Sequence, residues 1–393
     1  MRAVTIPGNA EKKAVWDAYQ KRQPTRVPLR WNVNPRVILL DPALNPEGFT
    51  FERYFRDPQV LMTVQARFQE YRATTLSRTC DLAGDLPATW NFGVDNQNTY
   101  DGAYFGAEVV FEAGNCPSNL PNMTEGDVDG FLARDFSRPL ENTWIRERLA
   151  FHAELGKAAK DFTYAGRKGR VAPLGMGFDG PVTIGAVLMG ADIFMLLGDD
   201  PEKAVRFMQK MMEAVLMRNQ ALAGLSGTPW QKGASGSLAD DSIQLVSNEM
   251  YAEWILPLHE WWFSATSATT PASQKRGMHL CGDVSRHLPL IHAKLGVSSF
   301  DTGFPIDHGA LRQALGPDVE ISGGPPVSLL QFGSPEQCYA SARDILRSGI
   351  KEGGRFILQE GNNLPPACPP ANLRAVYAAC LEFGRYDQEG CRL

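Results

Sequence analysis

The chain has 393 residues, of which 44% are hydrophobic and 21% charged, enough for a core that needs no disulfide staples. Its formal net charge of −5 argues against nucleic acid as the main partner, and mildly against a polyanionic substrate unless a local basic pocket escapes the count. Seven scattered cysteines (Cys80, Cys116, Cys281, Cys338, Cys368, Cys380 and Cys391) lack the spacing of a secreted disulfide framework and fit a reduced, cytoplasmic protein. The sequence shows no signal-peptide pattern and no apolar run long enough for a bilayer, so no membrane role is expected.

Residues 10–22 read as a helix, with Ala14, Val15 and Tyr19 near one face, and lead past Pro24 and Pro28 into a first strand. Residues 58–74 form a second amphipathic helix on Leu61, Val64, Phe68 and Tyr71. From 81 to 130 the pattern breaks into Gly, Asn, Asp, Pro and aromatics. Such a segment is either a substrate wall over an active face or a packed excursion with its own small core. Helices are expected at 140–162 and 181–197, with a strand at 170–177 between them. Asp200-Pro201 is a strong helix start, and the helix it opens runs to about 224 on Val205, Met208, Met212, Val215 and Asn219. A Gly/Ser-rich strand and loop at 224–239 ends in Asp240-Asp241, and Ser247 opens a helix over 247–264.

The last third alternates. Short apolar runs at 277–281, 297–300, 319–322 and 355–359 are separated by helices around 285–295, 308–315 and 335–349, and a final helix covers 370–385. Strands alternating with helices at this spacing mean a parallel sheet with crossover helices. The class is α/β, and the expected architecture is a single (β/α)8 TIM barrel over 25–393, with a helical extension at 1–24 and the irregular insertion at 81–130 near the active face.

Chemistry in such a barrel sits at the strand C-termini. The late strands deliver His279 and Cys281, then Asp301, then Gly323-Gly324, then Glu360-Gly361-Asn362. His279 and Cys281 are two apart, so on a strand both point to one face. Imidazole with thiolate is a zinc-favouring pair, and Glu360, Asp241 and Asp301 are candidates for the remaining ligands or for groups that hold His279 in its tautomer. Trp31, Trp90, Phe92 and Trp254 are the aromatic residues that composition suggests for a substrate wall.

A set of short motifs in fixed order resembles the uroporphyrinogen decarboxylase superfamily. They are Arg26-Val27-Pro28, Gly180-Pro181-Val182-Thr183, Asp240-Asp241 with Ser247-Asn248-Glu249-Met250-Tyr251, His279-Leu280-Cys281-Gly282, Ser322-Gly323-Gly324-Pro325, and Gly361-Asn362-Asn363-Leu364. The stretch Leu29-Arg30-Trp31-Asn32 lacks the Arg-rich motif of the true decarboxylases. The His279/Cys281 pair is similar instead to the zinc pair of the cobalamin-dependent methyltransferase branch, which includes methanol, methylamine and aryl methyl ether enzymes. Many members carry a further ligand cysteine in the late Gly-Cys-Gly turn, where this chain has Asn362. Glu360 or Asp241 is expected to replace it, with Glu360 placed alongside His279 and Cys281 as metal ligand and Asp241 and Asp301 as catalytic groups that orient the substrate or manage its proton.

The resemblance implies a zinc-dependent enzyme moving a methyl group from a small methylated substrate, an aromatic methyl ether, to the cobalt of cobalamin on a separate corrinoid protein. Trp31, Trp90, Phe92, Trp254 and Asn362 would bind the substrate. A homodimer is left open. The alternatives are a metal-free decarboxylase of a small or porphyrinogen-like acid, and a corrinoid:thiol methyltransferase.

Overall fold

A computed structural model describes residues 5–227, 230–268 and 275–386; Cys391 lies outside them. The chain divides into two compact units. The second consists of Phe49–Thr63 with Thr89–His279, and the rest of the described chain forms the first.

In the first unit three strands pair in parallel: β5 (Val297–Thr302), β6 (Glu320–Gly323) and β7 (Phe356–Leu358). Asp301 is level with Ser322, and Leu358 with Gly323. Leu29 continues the ladder by a parallel bridge to Leu358, so the early apolar stretch lies beside the last strand. Helices His308–Leu315 and Pro335–Arg347 cross between strands. Both begin as the sequence predicts: Asp307 accepts from the Ala310 N–H, and Ser334 with Gln337 forms a reciprocal capping box around Pro335. The final helix, Pro370–Phe383, buries Leu373, Val376, Tyr377 and Cys380. A short helix at Val327–Phe332 has no counterpart among the predicted elements.

The second unit holds β3 (Ser235–Ala239), parallel to β4 (Lys275–Leu280), in a register that sets Ala239 beside His279. The boundary between the units falls inside β4, after His279. Helix Pro201–Gly224 is the longest element here, and Asp200 caps it through the Lys203 N–H. Its buried face runs Ala204, Phe207, Met208, Met211, Met212, Val215, Arg218 and Leu222, one step round from the stripe that hydrophobicity alone suggests. Asn219 is half-buried, and Arg218 takes the core position.

Two expected elements are corrected. The helix expected over 181–197 is two, Pro181–Met189 and Asp192–Asp199, because Gly190 leaves the helix at φ +63°. The strand expected over 170–177 is β2 (Arg167–Val171), after which the chain runs irregularly to Gly180. β2 pairs in parallel with β1 (Trp90–Phe92).

The 81–130 segment is therefore a structured excursion. Besides β1 it contains helix Tyr100–Phe105, a two-residue antiparallel pairing of Val109–Val110 with Ser118–Asn119, and helix Val128–Leu132. Phe105, Phe131, Phe136 and Phe207 pack edge-on or tilted at centroid distances of 4.8–5.6 Å. The aromatic content supplies a local core, the second of the two readings the composition leaves open.

One buried group in the first unit carries a pH consequence. His308 packs edge-on against Phe356, its Nε2 has no hydrogen-bond partner among the described residues, and burial depresses its pKa from 6.5 to about 4. Below about pH 6.5 the unfolded chain takes up a proton that the folded chain refuses, so stability falls as pH drops from 6.5 towards 4. Urea unfolding at pH 7 and pH 4.5 should show the wild type losing about 2–3 kcal/mol more than His308→Leu over that interval. Equal losses would mean that His308 is protonated in the folded protein.

Candidate metal centre and its surroundings

The parallel register of β3 and β4 decides which carboxylate meets the His279/Cys281 pair. With Ala239 beside His279, Asp241 comes level with Cys281 just beyond the strand ends. Asp241, His279 and Cys281 are all half-buried, and their ligand atoms lie within 4.8 Å of one another. Gly282 makes the tight turn after Cys281 at φ +76°, as its position at the end of the apolar run predicts. Gly303 packs against this turn so closely that a Cβ there would lie 2.6 Å from the Gly282 nitrogen and 2.8 Å from the Cys281 Cα.

Glu360 is not in this group. It follows β7, whose neighbour on one side is the Leu29 stretch, so register sets it level with Trp31. There it is fully buried, and the Asn32 N–H donates to both its oxygens at 3.1 and 3.2 Å. Burial pushes its carboxyl well above the usual range; the nearby Asp301 charge adds to this, while backbone N–H groups and Arg30 pull it back. A buried acid hydrogen-bonded in this way is a structural post for the Asn32 turn.

Asp301, one residue before the end of β5, is half-buried. Gln359 donates to it and in turn accepts from Arg30 Nε at 2.9 Å, and a second Arg30 nitrogen reaches Ser322 Oγ at 3.4 Å. Asp301 is thus held by a neutral amide that a cation orients.

The expected aromatic wall divides. Trp31 lines a cavity of about 530 Å³ together with Trp16, Arg30 and Arg72. Trp90 and Phe92 are both enclosed by protein, Trp90 donating to the Tyr164 carbonyl at 2.9 Å and Phe92 meeting Phe162 edge-on. They belong to the core of the excursion, because alternation along β1 turns both inward. Trp254 is half-buried in a π-helical stretch, Tyr251–Ile255. Asn362 is half-buried and its side-chain oxygen accepts from the Asn363 N–H.

Behind Asp241 stand Asp240 and Tyr251, which the sequence marks only as motif positions, and His259, which it does not mark. Asp240, fully buried, accepts from the Thr183 N–H at 2.8 Å and from His259 Nε2 at 2.9 Å, while His259 Nδ1 meets the Tyr251 hydroxyl at 3.1 Å. Adjacent carboxylates therefore separate: Asp240 is tied to the start of helix Pro181–Met189, and Asp241 is left at the strand mouth. Gly180 permits this, since a Cβ there would lie 2.4 Å from the Asp240 side chain. Asp179 completes the set. Burial, and then the charges of Asp101, Asp241 and Asp240, push its carboxyl well above the usual range, and the Tyr100 hydroxyl donates to it at 3.4 Å. The motif Asp179-Gly180-Pro181 shows only a turn in sequence; its acid acquires its environment from helix Tyr100–Phe105, far along the chain.

Parallel strands with crossover helices and polar groups gathered at strand C-termini define an α/β barrel. The profile of the family described as Uroporphyrinogen decarboxylase (URO-D) matches residues 102–383. The chain belongs to the uroporphyrinogen decarboxylase family, and its fold is the family's (β/α)8 barrel. Among solved structures it is similar to a methyltransferase from Methanosarcina mazei, with a TM-score of 0.62 and 16% identity over 95% of this chain and 98% of that one. At this identity the likeness carries the fold. No curated protein sequence matches. No single helix among the described residues is long and apolar enough to cross a membrane.

Proposed function

We propose that this chain is a zinc-dependent methyltransferase that moves a methyl group from a small methylated substrate, an aromatic methyl ether, to the cobalt of cobalamin on a separate corrinoid protein. The observation that carries the reading is the grouping of Asp241, His279 and Cys281. Carboxylate oxygen, imidazole nitrogen and thiolate sulfur are donors that zinc takes together, and three protein ligands leave a fourth position open, as catalytic sites do. The Methanosarcina neighbour, named a methyltransferase, supports the same direction.

An ether oxygen leaves badly as an anion, and zinc, when bound, supplies the Lewis acidity that stabilises it. The chain's own residues do the rest. His279 and Cys281 fix two ligand directions from one rigid strand end, and Asp241 closes the set from the neighbouring strand. Asp301, held by Gln359, orients the substrate, and Trp31 offers ring surface. The accepting cobalt belongs to the partner protein, and with it the hard chemistry. A thiol acceptor would favour a thiolate-rich centre, whereas this group has one sulfur.

The test is spectrophotometric. Zinc-loaded protein given cob(I)alamin and a methoxyphenol should form methylcobalamin and the demethylated phenol in equal amounts. The rate should fall more than about 100-fold in Asp241→Asn. A loaded protein that methylates no cob(I)alamin from a panel of methyl ethers, methylamines and methyl thiols would overturn the reading. Arg30 in its cavity favours metal-free decarboxylation of a small acid as the second reading, and that outcome would bring it forward.

A further inference from the structure

The cavity beside Trp31 has a chemistry of its own. Its lining includes the cations Lys13, Arg30 and Arg72 and the indoles of Trp16 and Trp31. The acid in the wall, Asp81, is already engaged: Arg26 binds it through both nitrogens, the Leu29 N–H donates to it at 2.8 Å, and the Tyr377 hydroxyl at 2.7 Å. Both indole N–H groups are also used, Trp16 on the Asp81 carbonyl at 3.0 Å and Trp31 on Thr79. What the indoles still offer is ring surface.

The unspent polar capacity is on the cations. Arg72 packs its guanidinium over Phe68 at 5.7 Å, and its Nε–H is buried without a hydrogen-bond partner. Its terminal N–H groups make no hydrogen bond among the described residues either, so they are unspent. Arg30 spends Nε and one terminal nitrogen on Gln359 and Ser322. Lys13 is exposed, with one ion pair to Asp17. Donors thus outnumber acceptors in a pocket whose one carboxylate is neutralised. The preferred occupant accepts hydrogen bonds, carries negative charge and has a flat apolar body. A cavity of about 530 Å³ holds a substituted ring with its acid group.

We infer that this cavity binds an aromatic carboxylate, its carboxylate on Arg72 and Arg30 and its ring against Trp16 and Trp31. The chain's net negative charge hides this, because a local cluster of cations does not register in the total. The inference does not depend on zinc or on methyl transfer, so either can fail without the other.

Isothermal titration calorimetry on the full chain as purified tests it with benzoate, benzamide and acetate. Benzoate should bind saturably, with benzamide and acetate each at least about tenfold weaker. Arg72→Gln should weaken benzoate about tenfold. Because Arg72 makes no hydrogen bond among the described residues, the variant should keep the wild-type melting temperature. Lys13→Gln, at an exposed position, should weaken benzoate by a smaller factor. Benzamide or acetate binding as tightly as benzoate, no benzoate binding, or unchanged affinity in both variants would overturn the assignment.

Discussion

Cys281→Ala is expected to cut zinc affinity by more than about 100-fold, measured by competition with a chromogenic chelator and by metal content after dialysis. The informative comparison is between two acids. Asp241→Asn should lose zinc almost as completely, since it removes one of three grouped donors. Glu360→Gln should retain it, because that carboxyl is buried, spent on the Asn32 turn and outside the group. Metal lost in Glu360→Gln and kept in Asp241→Asn would require a different ligand set. Metal kept in Cys281→Ala would remove the centre altogether.

The second large effect concerns stability. Arg218 is fully buried, donates to Asp101 at 2.7 Å and to the Gly177 carbonyl at 2.6 Å, and lies over the Tyr104 ring. Asp101 spends its other oxygen on the Asp179 N–H at 2.7 Å. Removing one member leaves the other charge without its partner in the core, a loss of about 3–5 kcal/mol for Arg218→Met or Asp101→Asn in urea unfolding. The double variant Arg218→Met/Asp101→Leu should recover much of it, because the uncompensated charge goes too. Single variants within about 1 kcal/mol of wild type would show that water reaches the pair.

These contrasts also show what could be read from residues alone. Helices with strong local punctuation were legible almost to the residue: Pro58–Thr74, Pro201–Gly224 behind Asp200, and Pro335–Arg347 behind Ser334. The late strands and the His279/Cys281 pair were legible for the same reason, since alternation and turn chemistry are short-range. The choice between Asp241 and Glu360 was not, because both follow a strand and only strand order says which stands beside β4. The fate of Trp90 and Phe92 depended on packing within the excursion, which composition describes equally well as wall or core. The cationic cavity draws Lys13 and Arg72 from two helices that no motif in the sequence joins.

The separation of Asp240 from Asp241 bears on how freely this chain can vary in length. From Ser235 to Asp241 the chain behaves as a ruler: its ladder to β4 is the scale and the Asp240 anchor on Thr183 is the stop. Adding one residue inside that span would send Asp240 to the mouth and Ala239 to the anchor, and removing one would send Asp241 to the anchor and Ser242 to the mouth. Insertions should therefore be rejected between Ser235 and Asp241, a limit set by one hydrogen-bonded pair of strands.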